Sequence, residues 1–179
     1  MKYSFWIYVF YIFECVRSEE RNYRIVVQKI TTSNVDNDIF EKVDVELFQI
    51  NNRSYLDGSV VFKQPGSDMM VNSVLDFWRP NKQHMRVFDV RFSLCSFFEE
   101  SHKNKFFNNY SKAIKKFATK EFKCPFEANV TYGVKKLYFD ERDFPTFVPL
   151  GKFRSKFEYY LNEDVWATFS AQGQIISWN

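Results

Sequence analysis

Apolar and polar side chains alternate along most of this chain, in short runs separated by turn signals. Val43, Val45 and Leu47 stand between Lys42, Asp44 and Glu46, a period of two that puts the apolar set on one face of a strand and the charges on the other. The same alternation begins around Arg24 to Ile30. Asn51-Asn52 and Asp57-Gly58 read as turns around a short link to a strand at Ser59 to Lys63, which Pro65-Gly66 ends. Met69 to Trp78 and Met85 to Leu94 form a pair around Arg79-Pro80-Asn81. Further on, strands are expected at Val130 to Phe139, Lys152 to Leu161 and Val165 to Ile176, with Asn162-Glu163-Asp164 as the turn of the last hairpin. Short strands joined by polar turns predict an antiparallel sandwich.

The period changes after Cys95. Phe106 or Phe107, Tyr110, Ile114 and Phe117 recur at steps of three to four, with Lys112, Lys115, Lys116 and Lys120 on the other side. This spacing predicts an amphipathic helix with one aromatic face, packed over an open end or edge of the sandwich. Between the strands at Val130 and Lys152, Pro145 and Pro149 remove backbone donors, so residues 140–151 cannot form a central strand. The segment still carries Phe144, Phe147, Val148 and Leu150, and is expected to lie extended against the sandwich at the entrance to its interior.

Composition supports the β assignment, since Phe occurs 22 times against 7 Leu and aromatic side chains suit pleated, half-buried surfaces. Residues 1–18 have the form of an export signal: Lys2, an apolar run from Phe5 to Phe13, and Val16 and Ser18 before a cut at Glu19. The mature chain is then residues 19–179, expected to be one domain outside the cytosol. Loss of Lys2, Arg17 and Glu14 lowers the formal charge from +3 by one, a near balance that argues against a nucleic-acid binder. Sequons at Asn52, Asn109 and Asn129 agree with secretion. Of three cysteines, one lies in the signal segment, which leaves Cys95 and Cys124 to pair with each other.

The run Cys95-Ser96-Phe97-Phe98, the helix with Tyr110-Ser111, Cys124-Pro125-Phe126, Tyr138-Phe139-Asp140, Phe144-Pro145 and Val148-Pro149-Leu150-Gly151-Lys152-Phe153 together resemble a large insect family of secreted proteins with a chemosensory branch. That family is itself similar to the ML lipid-recognition superfamily of sterol carriers and ganglioside activators. The resemblance covers most of the mature chain and is most specific from about Cys95 to Phe153. It implies a mainly β fold: an immunoglobulin-like antiparallel β-sandwich of the ML type, with one amphipathic helix in a disulfide-closed crossover and sheets splayed around an apolar ligand. Many relatives carry a further cysteine pair in their first strands, whereas this chain has no cysteine between Glu19 and Leu94.

Catalytic motifs are missing: no Gly-x-Ser-x-Gly elbow, no His-Glu-x-x-His, and only five glycines in all. His84 and His102 have no spaced partner and are expected at turns or in solvent. The chain is therefore expected to be neither an enzyme nor the holder of a cofactor or metal ion. The leading expectation is a secreted binder of a small hydrophobic ligand such as a lipid, sterol or hydrocarbon, in a chemosensory setting, with a membrane receptor as a further candidate partner. Candidate wall residues are Phe88, Phe92, Phe97, Phe107, Phe147 and Phe153, although core packing is the commoner fate of any one ring. The alternative is an extracellular interaction module whose interior is filled. Closing a loop of this length stabilises a fold by roughly 3 to 4 kcal/mol, so Cys95→Ser is expected to hinder export or clearly lower the melting temperature. A mutant that is exported and melts like wild type would remove the assigned pairing.

Overall fold

The computed structural model describes residues 21–66, 69–99, 105–161 and 163–178. The expected export signal, His102 and Asn162 lie outside the described residues. The chain runs β1 (Tyr23–Ser33), β2 (Phe40–Ile50), β3 (Arg53–Phe62), β4 (Met70–Trp78) and β5 (His84–Ser93), then helices α1 (Leu94–Glu99) and α2 (Lys105–Phe117). It continues through β6 (Thr131–Leu137), a 3-10 turn (Glu141–Asp143), β7 (Gly151–Leu161) and β8 (Asp164–Ser177). The strands form two antiparallel sheets, one of five strands in the order β1-β8-β7-β4-β5 and one of three in the order β2-β3-β6. This is the two-sheet sandwich that the alternation implies, with α2 in the crossover from β5 to β6.

Two expectations need correction. Strand β3 begins at Arg53, directly after Asn51 and Asn52. Both asparagines have positive φ, 49° and 60°, as a tight two-residue hairpin requires. Asp57-Gly58 is therefore no turn but lies within the strand, where the β3–β6 register slips between Leu56 and Gly58. The Asp57 carboxylate accepts the Lys136 N–H at 2.6 Å and satisfies the backbone that the bulge leaves unpaired. Turn-type residues here shape a bulge. Likewise β5 ends at Ser93, and Leu94 opens a short helix instead of finishing the strand. Leu94, Phe97 and Phe98 are its buried residues, a three-to-four spacing that takes over from alternation.

One end of the sandwich is closed by a cluster of buried side chains. The rings of Phe40 and Phe62 stand 5.4 Å apart, Phe62 and Phe126 5.6 Å, and Phe126 meets Tyr132 edge-on at 5.1 Å. Met69, Val71, Leu94, Phe97 and Phe98 complete this cluster. Beside it, Cys95 and Cys124 form a disulfide with Cα atoms 5.7 Å apart. The bridge holds the end of β5 close to the approach to β6, so α2 stays over the sandwich. The Ser111 hydroxyl donates to the Phe97 carbonyl at 3.0 Å, which fixes α2 to α1.

Polar side chains fasten the other end. The Glu141 carboxylate, only 6% exposed, accepts the Ile25 N–H of β1 at 3.2 Å and pairs with Arg53 of β3 at 2.9 Å. Since β1 and β3 belong to different sheets, one carboxylate ties both to the proline segment. The Tyr23 hydroxyl adds a bond to the Pro145 carbonyl at 2.8 Å. Nearby, the β1–β8 register slips between Val27 and Lys29, and Ser54 of β3 answers the exposed backbone. Its oxygen accepts the Val27 N–H at 2.9 Å and its hydroxyl donates to the Val27 carbonyl at 3.0 Å, with Gln49 Nε2 donating to the same carbonyl at 3.0 Å. This clamp, rather than a second disulfide, secures the first strands.

On the outside of the larger sheet, Asp76 is nearly buried and sits between its cross-strand neighbours Arg86 and Arg154. Arg86 Nε and Arg154 Nη2 donate to it at 3.1 and 3.0 Å, and His84 Nε2 lies 3.1 Å from it. His84 thus has a partner that its sequence neighbourhood does not reveal, because the β4–β5 hairpin brings the two together. Burial pushes the Asp76 pKa up, but the hydrogen bonds from Arg154, Arg86 and His84 outweigh it and hold the group at about 2. A carboxylate with a lowered folded pKa contributes stability that is complete above the unfolded value near 4 and is lost as pH falls through the folded one. Stability is therefore expected to decline between about pH 4 and pH 2. Asp76→Asn should flatten that decline and lower the melting temperature at pH 7; thermal melts across this range would show whether it does.

Candidate ligand cavity

Between the two sheets lies a cavity of about 560 Å³, inside the range of roughly 300 to 1,000 Å³ that holds small ligands. Alternation along the strands decides which side chains reach it. Ser73, Leu75 and Phe77 come from β4, Phe153, Ser155, Phe157 and Tyr159 from β7, and Phe169, Ala171 and Ile175 from β8. The facing sheet supplies Val45 and Leu47, Leu56 and Val60, and Tyr132, Val134 and Leu137. Helix α2 contributes Phe107, Tyr110 and Ile114, which is the aromatic face read from its sequence. Phe144, Pro145, Val148 and Pro149 of the proline segment line the end remote from the packed cluster.

The interior stays open because small residues occupy the centre of the large sheet. Ser155 of β7 pairs with Leu75 on one side and Ala171 on the other, so the middle of this wall is low. Gly173 has a different task. A Cβ there would come within 2.6 Å of the Phe153 ring and would strike the Val26 carbonyl, so glycine lets that ring lie flat across β8. Stiff rings surround the low wall. Tyr110 stacks between Phe139 and Phe157, with centroids 5.8 Å away on each side.

Charge is kept out of this space. Among the described lining residues Asp44 is the only ionisable acid or base apart from tyrosines, and its carboxylate is paired with Lys42 at 2.7 Å in solvent. Burial raises the Tyr159 phenol to about 12. Burial also raises Tyr110, with the neighbouring Tyr159 adding to the effect. Both phenols therefore remain neutral at physiological pH and can offer hydrogen bonds but no charge. Among the described residues no group of His, Cys, Asp and Glu is arranged to hold a metal ion.

Of the six candidate wall residues, Phe88, Phe107 and Phe153 line the cavity. Phe88 and Phe107 meet at 5.5 Å, which joins β5 to α2. Phe92 and Phe97 do not line it. They pack against each other at 5.1 Å, and Phe97 is buried in the solid cluster because the helix α1 turns it there. Phe147 is 85% exposed: in the extended proline segment its neighbours Pro145 and Val148 turn inward and it turns out. Sequence reasoning passed over Ser73, Phe157, Tyr159 and Ala171. Their positions follow from the period of two, but nothing distinguishes a cavity-facing residue from a core-facing one until the opposite sheet is in place. Of the sequon asparagines, Asn52 and Asn129 are exposed beside strand ends and Asn109 lies within α2.

Residues 71–155, from β4 to the centre of the cavity wall, match the family described as "Protein of unknown function (DUF1091)". The matched span contains the disulfide, α2 and the proline segment. The chain is also similar in structure to a Niemann-Pick type C2 protein from the Japanese carpenter ant, with 11% sequence identity, 84% of this chain and 91% of that one covered, and a TM-score of 0.29. No curated protein matches the sequence. Ala171→Leu should fill part of the space at the low wall and leave the melting temperature unchanged or raised, since new atoms gain partners without displacing old ones. A loss of many degrees, as overpacking gives in a full core, would show that no such space exists.

Proposed function

We infer that this protein is a secreted, non-enzymatic carrier of a small hydrophobic ligand of lipid, sterol or hydrocarbon type. The observation that carries the reading is the cavity of about 560 Å³, walled mainly by rings and aliphatic side chains, with the solvent-paired Asp44 the one ionic side chain among the described lining residues. Removing apolar area from water supplies about 25 cal/mol per Å², so a ligand that covers these walls gains affinity without any charged contact. The proline segment lines the mouth, and exposed Met85 and Val87 continue its apolar surface outward. Secretion is favoured by the disulfide and by the exposed sequons at Asn52 and Asn129. No helix among the described residues is long and apolar enough to cross a membrane. A chemosensory setting and a receptor for the loaded form extend this reading and rest on the family resemblance alone. An interaction module with a filled interior, the other expectation, is at odds with the space between the sheets.

Native mass spectrometry of the protein recovered from culture medium, with thermal shift against a panel of fatty alcohols, sterols and hydrocarbons, tests the proposal. A ligand present at a hundredfold over its dissociation constant should add about 2.7 kcal/mol to stability. No co-purified lipid, together with no shift for any class, would overturn it.

A further inference from the structure

The two ends of the cavity differ in chemistry. At the end set against the packed cluster, Ser73 lines the cavity, is 1% exposed, and its hydroxyl has no hydrogen-bond partner. Tyr159 lines the same end: it pairs with Val71 while Ser73 pairs with Phe157, so the two side chains are diagonal neighbours on one face. At the opposite end the wall consists of Phe77, Phe153, Pro145, Val148 and Pro149, and there Met85 and Val87 reach solvent.

Buried hydroxyls without partners are uncommon and cost stability. An apolar side chain would serve the packing of Ser73 better, so the hydroxyl is explained most simply by a group that arrives from outside. That group is an oxygen at one end of a mostly apolar molecule, since the described walls are mainly rings and aliphatic side chains with scattered hydroxyls such as Ser155, and Ser73 is the one described lining residue whose buried hydroxyl has no partner. It must also be uncharged. Among the described residues no lysine, arginine or histidine lines the cavity, and an ionised carboxylate brought there would be desolvated without a counter-charge from them.

We propose that the cavity takes a neutral, singly oxygenated lipid, such as a long-chain alcohol, aldehyde, ketone or sterol, with its oxygen inward at Ser73 and Tyr159 and its hydrocarbon towards the mouth. This rests on the carrier reading above and adds to it the class of ligand and its direction. The neutral Tyr159 phenol donates to the ligand oxygen, and Ser73 donates or accepts according to whether the ligand carries a carbonyl or a hydroxyl.

Titrations with hexadecanol, hexadecanal, hexadecane and hexadecanoate at pH 8, chosen for equal chain length, test the proposal. The alcohol and aldehyde are expected to bind at least tenfold more tightly than the alkane, and the ionised acid more weakly than the alcohol. Ser73→Ala and Tyr159→Phe each delete one oxygen. Each should weaken the alcohol about tenfold and leave the alkane unchanged, and Ser73→Ala should melt no lower than wild type because it removes an unpaired buried group. Val148→Trp narrows the mouth, and should weaken hexadecanol while sparing a short alcohol such as decanol. If alkane, alcohol and acid bind alike, or if the two deletions weaken alkane and alcohol equally, the proposal fails while the carrier reading stands. Should Val148→Trp penalise short and long alcohols equally, the inward orientation fails. Binding by none of the four, nor by any other lipid, would remove the carrier reading and this proposal with it.

Discussion

The cluster in which the rings of Phe62, Phe126 and Tyr132 on the smaller sheet's side meet Val71 of β4 and Ala167 of β8 holds the two sheets together at one end, and the Glu141 carboxylate holds them at the other. Between these fixings the sheets do not close. An apolar space of about 560 Å³ leaves its lining atoms short of the contacts that a packed interior would give. A sandwich free to slide or tilt would collapse into that space and recover them. The constraint on this fold is therefore to resist its own hydrophobic collapse, and each unusual feature answers it.

The fixings differ because the ends differ. Where the core is dry, interlocked rings and the Cys95–Cys124 bridge suffice. At the mouth, backbone from β1, β3 and the proline segment meets where solvent enters, so directional polar contacts take over. The pairing of Glu141 with Arg53 and the Ile25 N–H, and the contacts of Ser54 with Val27, fasten strand to strand across the two sheets. This chain has no cysteine between Glu19 and Leu94 to fasten these strands covalently. Hydrogen bonds to backbone fasten them instead, made by the Glu141 carboxylate and the Ser54 hydroxyl, which are themselves buried.

The same division explains why charge is distributed as it is. Arg86, Arg154 and His84 gather on Asp76 at the outer surface of the larger sheet, and Lys42 meets Asp44 in solvent. Among the described residues that line the interior, the polar side chains are neutral hydroxyls apart from Asp44. Recognition in such a space depends on shape and on few hydrogen bonds, and so favours molecules that carry little polarity of their own.

Local sequence determined much of this protein. The period of two located β1 and β2 by their middles and gave β4 to β8 close to their observed extents, the period near four gave α2, and the cysteine count gave the disulfide, because each depends on neighbours along the chain or on elimination. Where local rules compete, the sequence was ambiguous: Asp57-Gly58 suits a turn or a bulge equally, and only the partner strand β6 decides. Phe92, Phe97 and Phe147 look no different in sequence from Phe88, Phe107 and Phe153, since ring chemistry is the same whether a ring fills a core, lines a cavity or faces water. His84 and Asp76 meet only through the hairpin register. Whether the interior is hollow was decided by the tertiary structure alone, because empty volume belongs to the gap between two sheets and is encoded in neither sheet by itself.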